Sequence, residues 1–135
     1  MKPLKKIFTV LALAGISQLA AGANPLSVHV LNLQDGLPSP QVKVTLERQD
    51  GPQWTQLASG ETDGNGRIPA LFPENAPFAK GVYRVTFKTG EWYAARHTES
   101  FFQEVPVIFK ADGVAPHTHI PLLISPFGFS TYRGN

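Results

Sequence analysis

Leu26-Ser27-Val28-His29-Val30-Leu31 decides how the rest of the chain is read. Leu26, Val28 and Val30 alternate with Ser27, His29 and Leu31, so one face is apolar and the other carries a hydroxyl and an imidazole. Strand side chains alternate between faces with a period of two, whereas a helix would spread these apolar positions around its axis. The segment therefore reads as a strand with one face on a core. The same period returns downstream. Val42, Val44 and Leu46 share a face within residues 41–49, and Tyr83, Val85 and Phe87 share one within residues 81–88.

Between these segments lie turn formers. Asp35-Gly36, Pro38 to Pro40, Asp50-Gly51-Pro52 and Asp112-Gly113 each break the pattern. Asp63-Gly64-Asn65-Gly66 reads as a hairpin turn joining a strand at residues 54–62 to one at residues 67–71, because Gly and Asn accept positive φ cheaply. Further strands are expected at residues 105–110, 117–125 and 129–133. Pro106 marks a strand start or a sheet edge, since it has no N–H to donate. Residues 89–97 lose the alternation; they predict a short helix, with Thr89 as N-cap and Trp92 and Tyr93 turned inward. The 12 Gly and 12 Pro follow no fixed period, which excludes a repeat architecture. About eight short strands and one short helix predict an all-β fold, a two-sheet sandwich. Nothing resembles a βαβ unit or a Gly-rich phosphate loop.

Residues 1–23 read as a secretory signal peptide. Lys2, Lys5 and Lys6 are its basic start, residues 7–19 its apolar stretch, and Ala21-Gly22-Ala23 a small-residue cleavage site. The apolar stretch is shorter than the roughly 20 residues a membrane span needs. One mature domain at residues 24–135 and a periplasmic location are the expectations, with no membrane association after cleavage. Three of the 12 Lys and Arg lie in the leader, which leaves nine against 10 acidic residues, a net of about −1. The basic pI near 9.0 thus belongs to the leader, and no basic cluster marks a nucleic-acid surface. The chain has no cysteine, so disulfides and thiolate chemistry are excluded. A small domain without disulfides gains stability if it assembles, because protomer contacts stabilise the folded form.

Few residues suit chemistry. His29 interrupts an apolar strand and reads either as a hydrogen-bonded core or interface residue or as a functional imidazole. His117 and His119, two apart, share a strand face. They read as a solvated strand start or, with a third histidine, as a zinc set. Arg67 is either an exposed turn residue or a clamp for anionic or carbonyl oxygens, which its planar fork suits. The ending Ser130-Thr131-Tyr132-Arg133-Gly134-Asn135 is too aromatic and basic for an ordinary frayed tail and suggests a segment tied into a site. No Ser-His-Asp signature and no catalytic carboxylate pair is present.

Three blocks together resemble the 5-hydroxyisourate hydrolases, the enzymatic branch of the transthyretin family. They are Leu26 to Asn32 with Gly36, Pro38 and residues 42–46; Thr62-Asp63-Gly64-Asn65-Gly66-Arg67; and His117-Thr118-His119-Ile120-Pro121 on through Tyr132-Arg133-Gly134. The resemblance covers residues 26–135. The turn block alone is common among β-sandwiches. The histidine strand with the Tyr-Arg-Gly ending is specific and is absent from the hormone carrier of the same fold.

The resemblance implies a transthyretin-like sandwich, a homotetramer built as a dimer of dimers, and sites at the dimer–dimer interface. It implies hydrolysis of 5-hydroxyisourate to 2-oxo-4-hydroxy-4-carboxy-5-ureidoimidazoline, without cofactor or metal. His29, Arg67 and His119 are the implied catalytic residues. His29, Arg67, Tyr132, Arg133, Gly134 and Asn135 are the implied substrate contacts. His117 is a neighbour, and His97 matches no functional position. The family ending is Tyr-Arg-Gly-Ser; here Asn135 replaces the serine, so a role needing that hydroxyl is lost while the terminal carboxylate remains. The rival readings are a non-enzymatic carrier of an apolar ligand and a periplasmic zinc-binding protein.

Overall fold

The computed structural model describes residues 23–135. The expected leader, apart from Ala23, lies outside them. Nine strands and one helix are present among the described residues: β1 (Leu26–Asn32), β2 (Leu37–Pro38), β3 (Lys43–Asp50), β4 (Gln53–Glu61), β5 (Arg67–Ile68), β6 (Gly81–Phe87), α1 (Thr89–Ala94), β7 (Val105–Ala111), β8 (Thr118–Ser125) and β9 (Gly128–Thr131). The strand beyond the eight expected is the two-residue β2, a stretch that reads as a turn in the sequence.

The strands form two sheets. One runs β2-β1-β8-β9, with β5 also paired to β1; the other runs β4-β3-β6-β7. The alternating residues meet between them. Leu26, Val28 and Val30 face Val44, Leu46, Tyr83, Val85 and Phe87, and Ile120, Leu122 and Ile124 complete the layer, all buried. Burying such a side chain contributes about 1.5–3 kcal/mol, so each strand is held by its inward face. Tyr83 buries its ring among Phe72, Phe78 and Phe109 while its hydroxyl donates to the Ala79 carbonyl at 2.7 Å. On the outer face of the second sheet, Arg84 pairs with Glu47 and stacks on Trp54.

Helix α1 starts where the alternation stops, and Trp92 and Tyr93 are buried. Trp92 Nε1 donates to the Pro40 carbonyl at 2.7 Å, and Tyr93 Oη donates to Asn32 Oδ1 at 2.9 Å. Burial of that hydroxyl pushes the Tyr93 pKa up to about 12. Thr89 is not the cap the sequence suggests. Lys88 occupies the N-cap position without a side-chain bond, and Thr89 is buried in the first turn.

The Asp63 to Gly66 turn is also not a hairpin. β4 belongs to one sheet and β5 to the other, so the turn carries the chain across the sandwich. Asp63 Oδ1 accepts from the Asn65 and Arg67 N–H groups at 2.9 and 3.0 Å, closing the turn on itself. Gly66, at φ +70°, then docks on β1. Its carbonyl accepts from Val30 N at 2.8 Å, and a Cβ there would stand 2.5 Å from the Val30 carbonyl. Only glycine fits that approach.

Candidate active site

β1 and β8 run parallel, in a register that sets Ser27 beside His119 and His29 beside Pro121. On the opposite edge of β1, β5 sets Arg67 beside His29. The inward residues of β1 are buried and its outward residues are only partly so. Ser27, His29, Arg67 and His119 therefore collect on the outer face of one sheet, away from the core. Three elements from the beginning, middle and end of the chain supply them.

The site has few fixed contacts, and most converge on Ser27. Its Oγ lies 2.7 Å from His119 Nδ1 and 2.9 Å from His117 Nε2. His117 Nδ1 lies 2.9 Å from the Asn24 carbonyl oxygen. Sequence reading treats Ser27 only as an outward neighbour of His29. The alternation places it on the functional face, but nothing local reveals that β8 brings two histidines to it.

Both central imidazoles prefer to be neutral. Burial lowers the His29 pKa below its ordinary 6.5, and the Arg67 charge lowers it further, against a backbone hydrogen bond at Asn65 and the Asp63 charge. Burial also lowers His119, followed by Arg67, His29 and His117. Arg67 is exposed at the rim and acts on both rings. At pH 7 the face thus offers unprotonated imidazole nitrogen beside a permanent cation.

The C-terminal segment is held here too. Pro121 has no N–H, and its carbonyl accepts from the Thr131 hydroxyl at 2.8 Å, so the β8–β9 ladder is interrupted after Thr131. It resumes at one bridge, Gly134 N to the His119 carbonyl at 3.0 Å. A Cβ on Gly134 would stand 2.6 Å from His119 Cδ2, so the tail presses on the ring edge as only glycine can. Tyr132 and Arg133, in the interruption, are exposed and line a cleft of about 560 Å³ between the sheet edges, with Phe109, Asp112 and His119 on its walls. Arg133 acts electrostatically on Asp112 there.

His29, Arg67, His119 and Gly134 thus come together within one chain, with His117 joined to them through Ser27. Tyr132 and Arg133 occupy the adjoining cleft. Asn135 is exposed at the end of the tail, and His97 is exposed beyond α1. Among the described residues no group of three His, Asp or Glu side chains is placed to hold a metal ion.

These features define a class: a small two-sheet β-sandwich bearing a neutral-imidazole and guanidinium site on an outer sheet face. A match to the HIUase/Transthyretin family spans residues 26–134, and the chain belongs to that family. A 5-hydroxyisourate hydrolase of Salmonella dublin is 48% identical over 132 residues, 98% of this chain and 96% of that protein. The structure of the Klebsiella pneumoniae 5-hydroxyisourate hydrolase superposes with TM-score 0.73 at 38% identity, covering 83% of this chain and 99% of its own. Sea bream transthyretin in complex with thyroxine superposes with TM-score 0.76 at 33% identity, covering 82% and 94%.

Proposed function

We propose that this chain hydrolyses 5-hydroxyisourate to 2-oxo-4-hydroxy-4-carboxy-5-ureidoimidazoline, a step of urate degradation. The observation that carries the reading is the single face on which His29, Arg67 and His119 meet, with both rings biased toward the neutral form. A water molecule gives up a proton to an imidazole and adds to the ring carbonyl carbon. The carbonyl oxygen becomes negative, and the Arg67 guanidinium stabilises it. The C–N bond then breaks, and the leaving nitrogen takes a proton from an imidazole. Tyr132 and Arg133 close the site around the substrate, and Gly134 fixes the tail against His119.

A carrier of an apolar ligand has no use for two imidazoles and an arginine on this face, so the polar set favours the hydrolase. One chain leaves that face open to solvent. A homotetramer, a dimer of dimers with sites at the dimer–dimer interface, would cover it. Two features support assembly. β7 and β9 are edge strands with unpaired outer ladders. Phe101, Ile108, Phe127 and Tyr132 are large and well exposed. The leader at residues 1–23 supports a periplasmic location, and among the described residues no helix is long and apolar enough to cross a membrane.

Turnover of freshly generated 5-hydroxyisourate, followed by ultraviolet absorbance on residues 24–135, tests the activity. Decay at the spontaneous rate would refute it. Turnover that survives a chelator separates acid–base catalysis from the zinc reading. Light scattering tests the tetramer.

A further inference from the structure

The donors and acceptors around Ser27 admit one arrangement when His117 is neutral. The Asn24 carbonyl oxygen has no proton to give, so His117 Nδ1, 2.9 Å away, carries the hydrogen. His117 Nε2 is then bare, and the Ser27 hydroxyl donates to it across 2.9 Å. Serine has a single O–H. Its second contact, 2.7 Å to His119 Nδ1, therefore needs a hydrogen from the ring. His119 is left with a hydrogen on Nδ1 and a free lone pair on Nε2.

The far end of this relay is anchored. Asn24 Nδ2 donates to the Phe72 carbonyl at 2.8 Å, and its Oδ1 accepts from Leu26 N and Phe72 N at 3.1 Å. The near end is kept clear, since Gly134 lies against Cδ2, the carbon bonded to Nε2, and brings no side chain.

We infer that Ser27 is a positioning residue: its hydroxyl, oriented by His117 and the Asn24 carbonyl, locks His119 in the Nδ1–H form and so makes Nε2 the base of the hydrolytic step. Nε2 takes one proton of the attacking water while the hydroxide adds to the ring carbonyl carbon. When the C–N bond breaks, the same proton passes to the leaving nitrogen, and the ring returns to its starting form. Nδ1–H stays on Ser27 throughout, so the proton enters and leaves by one nitrogen. His29, whose ring meets the Asn65 backbone rather than Ser27, lies outside this relay. This inference rests on the hydrolase reading of the same site.

Nitrogen-15 spectra of the imidazoles and steady-state kinetics test it together. In the wild-type protein the His119 Nε2 signal should lie in the unprotonated range and Nδ1 in the protonated range. In Ser27→Ala the ring should move toward the Nε2–H form that an unanchored imidazole favours. kcat should fall about tenfold or more, with KM within twofold, and Ser27→Thr, which restores a hydroxyl, should recover most of the loss. A wild-type His119 carrying its hydrogen on Nε2 would overturn the inference without any variant. So would Ser27→Ala with wild-type kcat and an unchanged tautomer. A protein with the expected tautomer and no turnover would instead uphold the lock and sink the hydrolase reading.

Discussion

His29 and His119 sit on a face that water reaches, yet both are partly desolvated and both feel the Arg67 charge. That combination holds an imidazole neutral without making it inaccessible. A base used at neutral pH needs both properties. A positioned acid–base group contributes about 10²- to 10⁴-fold in rate, so His29→Asn and His119→Asn should each lower kcat by about that factor. Both variants turning over within twofold of wild type would remove these residues from the mechanism. The pH profile has a defined sign. The proposed mechanism uses the neutral ring, and both pKa values lie below 6.5. kcat/KM should therefore be level above that pH and fall only on the acid side of it; a decline beginning above 7 would contradict the assignment. Arg67→Lys keeps the charge but loses the fork that holds two oxygens at once. It should weaken turnover clearly, read as kcat/KM on the same substrate.

The turn from Asp63 to Gly66 does more than reverse the chain. Asp63 closes it, Gly66 wedges it against Val30, and Arg67 emerges beside His29. A Cβ at Gly66 meets the Val30 carbonyl at 2.5 Å and needs positive φ as well. Gly66→Ala should cost about 1–3 kcal/mol of stability, measured by denaturant titration, and should reduce turnover because Arg67 is displaced. Unchanged stability would show that the turn yields freely. Alternation made β1, β3 and β6 readable, since each has one dry face. It misled at this turn, because a Gly/Asn-rich tetrapeptide looks the same whether it joins neighbours in one sheet or bridges two. It was also silent on the role of Pro121, whose missing N–H interrupts the ladder and frees Tyr132 and Arg133.

Over the full domain, stability rests on one apolar layer without disulfides. Leu46 is fully buried at its centre. Leu46→Ala should cost about 2–5 kcal/mol, read as a lower denaturation midpoint; a loss under 1 kcal/mol would mean that the layer repacks around the gap. Acid should weaken the fold through the site itself. The unfolded chain binds protons at histidines with an ordinary pKa of 6.5, whereas folded His29 and His119 bind them only at lower pH. Stability from these two rings is complete above pH 6.5 and is lost as pH falls below it. Thermal midpoints at pH 8, 6 and 5 should decline in that order, and by less when both residues are replaced by Asn.

The all-β class, the strand faces, the short helix with its buried Trp92 and Tyr93, and the short list of chemically useful residues were written locally, because side-chain period and turn chemistry act over a few neighbours. The resemblance to the hydrolases added roles for those residues. The meeting of Ser27 with His119, 92 positions apart, was not local. It depends on the parallel pairing of the first long strand with the last, and pairing is settled by which apolar faces share a core. Folding, through that register, also set Arg67 beside His29, brought Gly134 against His119 and turned a plain serine into the hub of the histidine cluster.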